Sequence, residues 1–333
     1  MELQLRGNIV MKMTFARWRW ILAGAVVMGV LPSIPALTIT FDYTYDTSGF
    51  FNSQARRDLL NDAAANLTSR ITDSLSAIVP SGENTWTANP FDPNNPNNIL
   101  SIANLVVPAD TLVVYVGAAN LGSGTLGEGG PGGDLASGIT QAWLDTVAGR
   151  GQSGALATTP TDFGPWGGTV TFNNTAAWYF DTDPSTMENI GSLNDFYSVA
   201  LHELGHVLGI GTAGSWTAQS NGGTSFTGAN AMALNGGSVA LSPDGGHWAQ
   251  GTMSTVVGTG VAQEVAMDPS LTQGTRKLFT ALDYAALEDI GWQLAGIPEA
   301  STLTWVAALG LAGVIWRLRT GTGQKRVSAT SSR

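Results

Sequence analysis

Apolar and polar positions alternate along LTITFDYTY, residues 37–45, with β-branched and aromatic side chains among them, a pattern that predicts a strand. The period then changes. Ala55, Leu59, Ala63, Leu67, Ile71, Leu75 and Ile78 recur every three or four residues, which predicts one helix from Ser53 to Val79, with Ser53 as cap and Pro80 as stop. Residues 83–98 are rich in Pro and Asn and are expected as a loop. TLVVYV (111–116) reads as a buried strand, and GTVTFN (168–173) and residues 177–180 as two more. Residues 117–138 are dense in Gly and are expected to form a mobile surface loop. They do not match a phosphate cradle, because no Lys-Ser/Thr pair or strand-to-helix turn follows at the needed spacing. The apolar period returns over 193–210 as a helix, fades through the Gly, Ser, Thr and Asn of 211–246, and closes with an amphipathic helix over 278–290.

Both ends read as addresses. Lys12, Arg17 and Arg19 precede an apolar run from Trp20 to Leu31, and Pro32, Ser33, Pro35 and Ala36 follow it. Basic, then apolar, then small residues is the order of a secretory signal peptide, with cleavage expected near Ala36 by a signal peptidase and a translation start at Met11 or Met13. A retained membrane anchor is the alternative. At the other end Pro298 and Glu299 precede an apolar stretch from Leu303 to Trp316, then Arg317 and Arg319. This resembles the PEP-CTERM sorting signal read by exosortases, with Ala300 in place of the second Pro; a plain C-terminal anchor is the other reading. The resulting parse is an N-terminal extension and signal peptide (1–36), a single domain (37–296), and a sorting or membrane segment with a basic tail (297–333). It places the domain outside the cytoplasm, at the surface or in the extracellular matrix of a bacterium.

Composition narrows the chemistry. The 333 residues include no Cys, so disulfides, thiolate metal sites and cysteine nucleophiles are excluded. Any metal must be held by His, Asp or Glu. The net charge of −10 supplies few cations for phosphate contacts, and no nucleic-acid partner is expected.

His202-Glu203-Leu204-Gly205-His206 lies inside the helical run DFYSVALHELGHVLGIG. His at i and i+4 share a helix face, so both imidazoles can reach one Zn²⁺, and Glu203 can reach water held there and act as a base. Gly209 lets the chain turn away. For a further ligand the sequence offers His247, the one other His, and the carboxylates Glu264 and Glu288.

HELGHVLGIG resembles the HExxHxxG core of the metzincin zinc metalloproteases. The compact members place a ligand where Thr212 stands here. The leishmanolysin-like branch inserts a long segment first, and that resemblance assigns His247 as third ligand. It also implies a methionine turn below the metal at Met267, in EVAMDPSL, with Met253 as a rival. The implied fold is α+β and zincin-like: a mixed twisted sheet, a backing helix, an active-site helix, and a smaller irregular C-terminal subdomain ending in a helix. The implied activity is hydrolysis of protein or peptide substrates by one zinc ion with Glu203 as general base. By analogy with zincins the substrate lies extended beside an edge strand, for which GTVTFN is the candidate, on Gly168, Thr169, Val170, Thr171 and Phe172. Asp181 and Asp183 in FDTDP are a candidate Ca²⁺ pair, though two Asp in a turn are more often solvated. The other functions considered are a non-catalytic surface or matrix protein and a zinc amidase acting on cell-wall peptides.

Overall fold

A computed structural model describes residues 37–295, and the expected signal and sorting segments lie outside this range. No helix among the described residues is long and apolar enough to cross a membrane. Among the described residues the architecture is α+β, with six α-helices, one four-stranded sheet, one three-stranded sheet and four two-stranded ribbons.

The larger elements, in chain order, are β1 (Thr38–Asp42), α1 (Gln54–Thr68), β2 (Thr85–Asn89), β3 (Thr111–Ala119), β4 (Gly127–Pro131), β5 (Gly133–Ser137), α2 (Gln141–Gly149), β6 (Gly167–Asn173), α3 (Phe196–Val207), α4 (Gly214–Gln219), α5 (Ala229–Asn235), β7 (Met253–Thr255), β8 (Ala262–Glu264) and α6 (Ala281–Asp289). The main sheet has the order β1-β3-β6-β4; its first three strands are parallel and β4 runs antiparallel to β6. Both faces are covered, as parallel strands require. Leu112, Val114, Val116, Val170 and Phe172 face a large core that includes α1, α3 and α6. Tyr115 faces a smaller core containing Trp86, Trp143 and Trp166. The smaller sheet, β2 with β5 and Ile102–Ala103, leaves β4 through Gly132. A Cβ at Gly132 would stand 2.1 Å from the Trp166 ring, so this passage needs glycine.

Four sequence expectations are corrected. The helix expected over Ser53–Val79 ends at Thr68. Ile71, Asp73 and Leu75 continue the burial with period two, so the chain is extended there, and Ile71 and Ile78 form bridges to Leu294 and Val107. A spacing of four fits both a helix turn and two strand steps. The loop expected over 83–98 contains β2, whose Trp86 and Ala88 are buried. The Gly-rich stretch 117–138, expected as a mobile loop, contains β4 and β5. GTVTFN is no edge: β6 pairs with β3 on one side and β4 on the other, so Gly168, Thr169, Val170, Thr171 and Phe172 have no free backbone edge for a substrate, and β4 is the edge strand.

The N-terminus of α3 is fixed by charge. Asp195 caps it, accepting hydrogen bonds from Ser198 N and Oγ at 3.1 and 2.6 Å. Arg276 spans Asp195 (2.8 Å) and Asp181 (2.6 Å) in a buried cluster. Burial would raise the Asp181 carboxyl, but the Asp183 N–H and Arg276 outweigh it and hold it below the usual range. The candidate calcium pair is thus taken: Arg276 holds Asp181, and Asp183 is an exposed turn residue bonded to Ser185. Arg276→Met leaves two buried carboxylates without a cation and is expected to lower stability by about 3–5 kcal/mol in urea unfolding. Added Ca²⁺ is expected to leave the native melting temperature unchanged.

Candidate metal centre

Helix α3 is buried on nearly all sides, which its run of apolar residues requires. His202 and His206 stand one turn apart on it, and Gly209 ends it with φ +106°. The Thr212 hydroxyl donates to the His206 carbonyl at 2.7 Å, so this residue satisfies the helix end and is no ligand. His247 arrives on the loop after α5. The three Nε2 atoms lie 3.1 Å (202–206), 3.2 Å (202–247) and 3.0 Å (206–247) apart. Together they form a group able to hold a metal ion.

Tautomers follow from the other ring nitrogens. His202 Nδ1 faces the Ala266 carbonyl at 2.8 Å, His206 Nδ1 the Ile210 carbonyl at 2.8 Å, and His247 Nδ1 the Asp244 carboxylate at 2.9 Å. Each acceptor calls for an N–H, which places the protons on Nδ1 and leaves three Nε2 lone pairs facing one point. Burial and the neighbouring imidazoles push His202 well below the ordinary histidine value and His206 down to about 4. Protons are therefore poor company for the two helix lone pairs. A tetrahedral ion with ~2.0–2.1 Å bonds would separate its ligands by roughly 3.3 Å, close to what is found. Asp244 is held down at about 2: burial opposes ionisation, but the Ser242 hydroxyl, the Gly246 N–H and His247 prevail.

The other candidate ligands lie elsewhere. Glu264 pairs with Lys277 at 2.7 Å, and Glu288 is no member of the histidine group. Met267 is fully buried; its Sδ would stand 2.5 Å from a Cβ at Gly205, so it packs directly under α3 between the two helix ligands. Met253 is 60% exposed.

Glu203 lies against β4. A Cβ at Gly127 would come within 2.7 Å of Glu203 Oε1, and one at Gly129 within 2.5 Å of the Glu203 carbonyl oxygen. Burial, then the Glu128 charge, push the Glu203 carboxyl up to about 8, partly offset by the Gly129 N–H. A cleft of about 1020 Å³ opens over these groups, between the 120–129 segment and the 266–277 segment, with the three His and Glu203 in its wall.

Comparison with protein-family models, characterised proteins and solved structures returned no match. The site stands on its own geometry.

Sequence reasoning missed the group that joins its parts. Asp283, fully buried at the start of α6, accepts from Trp248 Nε1 (3.0 Å), Met267 N (3.2 Å), Ala266 N (3.0 Å), and Thr280 N and Oγ1 (both 2.8 Å). One carboxylate thus ties the residue after His247, the acceptor of His202, Met267 and the helix cap. The Thr-x-x-Asp spacing at Thr280 was its one sequence signal.

Asp283→Asn keeps the shape but removes acceptor capacity. It is expected to weaken divalent-metal binding by about 10–100-fold in chelator competition and to lower the melting temperature. Acid should also destabilise the metal-free protein. Unfolded His206 takes up a proton near pH 6.5, while the folded residue resists until about 4. Stability is expected to fall by about 3 kcal/mol as pH drops between those values, then to lose this dependence below them, in urea titrations of chelator-treated protein.

Proposed function

We propose that this chain is a zinc-dependent endopeptidase with a metzincin-like arrangement. The observation that carries the reading is the convergence of three Nε2 lone pairs beside a buried glutamate at the wall of an open cleft. The histidine donor set suits Zn²⁺, and three protein ligands leave a coordination position open. When bound, Zn²⁺ supplies a Lewis acid that polarises a carbonyl and acidifies water.

The chain's own groups do the rest. Glu203 accepts the proton of the attacking water and returns it to the leaving amine. Its raised affinity for protons suits both halves of that exchange. The β4 edge holds the peptide. Asn173 N bonds to Leu126 O and Gly132 N to Gly167 O, so alternation turns the N–H and C=O of Gly127 and the C=O of Gly129 outward, with the Gly129 N–H toward the Glu203 carboxylate. An extended peptide can pair with them next to Glu203. The motif order, with HELGHVLGIG before His247 and then Met267, supports the leishmanolysin-like branch. Export, and handling by signal peptidase and an exosortase-type enzyme, belong to the same reading and rest on the two terminal segments.

Casein cleavage is expected for the zinc-loaded native protein. Glu203→Ala is expected to retain one zinc by metal analysis and to lose at least about 10³-fold in rate, and His247→Ala to lose zinc as well. Zinc retained with no hydrolysis by either the native protein or Glu203→Ala would mark a structural metal. Cleavage confined to cell-wall peptides would mark an amidase.

A further inference from the structure

Strand β4 reads Gly127-Glu128-Gly129-Gly130-Pro131, so it has one side chain with a functional group. Gly127 and Gly129 face α3, on the side of Val170 and Phe172. Alternation puts Glu128 on the opposite face, in register with Thr171, and at the strand's free edge it also borders the cleft over the imidazoles. A pocket of about 180 Å³ opens on that face, beyond the strand as seen from the imidazoles. Phe91 and Pro96 wall it, Thr169 and Thr171 line it, and Glu128 stands at its border with the bare backbone of Gly129 and Gly130.

Four features define what it can take. Glu128 is exposed and, among the described residues, has neither an ion pair nor a side-chain hydrogen bond. Phe91 is 45% exposed and gives the pocket an apolar aromatic wall that a ligand can reach. Thr171 Oγ1 is buried without a hydrogen-bond partner. A Cβ on Gly130 would meet nothing within 4 Å, so a side chain can cross the strand there from the free edge. An apolar wall, a border carboxylate and a spare hydroxyl fit an aliphatic stem that ends in a cation.

We propose that this pocket is a subsite for a Lys or Arg side chain of a peptide lying along β4, and that Glu128 determines the preference. The inference rests on the reading of β4 as the peptide-binding edge. It narrows the substrate class to polypeptides with a basic residue at one position, on the side of the strand away from the metal centre. The chain's net charge of −10 favours the same partners.

The test uses zinc-loaded full-length Glu203→Ala, which binds without turnover, and fluorescent peptides of neutral sequence in which Lys, norleucine or Glu is placed at each position in turn. At one position Lys is expected to bind about tenfold more tightly than Glu at low salt, from one gained and one removed charge contact. The gap should shrink in Glu203→Ala/Glu128→Gln and invert in Glu203→Ala/Glu128→Lys, with cooperative melting checked for each. Equal binding of the three peptides at every position, no binding at all, or a Lys preference that survives Glu128→Lys would overturn the subsite. Failure of the protease reading looks different: native protein cleaves nothing, whether or not the Lys preference follows residue 128. Casein cleavage by native protein, with a Lys-to-Glu ratio indifferent to Glu128→Lys, would instead remove the subsite and leave the protease.

Discussion

The candidate metal centre depends on the buried carboxylate of Asp283. Two of the three imidazoles sit on one helix and are placed by it, but His247 comes from a loop with little regular structure around it. Its neighbour Trp248 donates its indole N–H to Asp283 and its backbone N–H to the Met267 carbonyl. Asp283 in turn receives the N–H groups of Ala266 and Met267. The loop is thereby referenced to the floor beneath α3, and His202 is referenced to the same floor through the Ala266 carbonyl. A buried carboxylate without a cation is costly, and here burial does push it toward protonation. Five donors offset that cost, so the group is stable only while all the segments stay assembled. That makes it a gauge of correct assembly as well as a tie.

The second constraint is the closeness of β4 to α3. Glycine at 127 and 129 brings the edge strand onto Glu203 itself. The closeness removes water from Glu203 and raises its proton affinity. It also sets the outward C=O groups of the same two residues, and the outward N–H of Gly127, beside it. A strand without side chains toward the helix has little packing of its own. Its position comes from the ladder to β6 and from the Gly132 turn beneath Trp166, which accepts the indole N–H through the Gly132 and Gly133 carbonyls at 3.0 and 3.1 Å.

These two constraints explain what could be read in the sequence. The i, i+4 histidines on an apolar helix announce themselves, because helix geometry fixes which side chains meet. The family resemblance assigns His247, with Glu264 and Glu288 open beside it, and the structure brings His247, not the two carboxylates, together with His202 and His206. Strand β4 was hidden, since period-two patterning needs side chains and GEGGP has almost none. The mistaken extension of α1 has the opposite origin: Ile71, Leu75 and Ile78 have a clear pattern that two conformations share. Placing substrate on β6 followed from a strand signal that was correct and a sheet order that no local pattern encodes. Asp283 was missed because its partners are backbone groups, which leave no trace in residue identity.

The chain has no Cys and only 12% charged residues, and several of its buried charges each hold segments together. Arg150, fully buried, donates to the carbonyls of Ser76, Pro108, Thr111 and Pro165 and so joins the extended 69–79 segment to β3 and to the approach to β6. It has no carboxylate in these contacts, and burial lowers it to about 10, still charged at neutral pH. Arg276 joins the 181 turn to the head of α3, and Lys277 binds Asp268 beside Met267. Each group satisfies backbone or carboxylate oxygens that irregular segments would otherwise bury unpaired. Regular elements meet that demand internally; the long loops of this fold cannot. The metal centre obeys the same rule in reverse. Among the described residues its three Nε2 lone pairs converge on one another rather than on a donor, and that deficit is what a cation would fill.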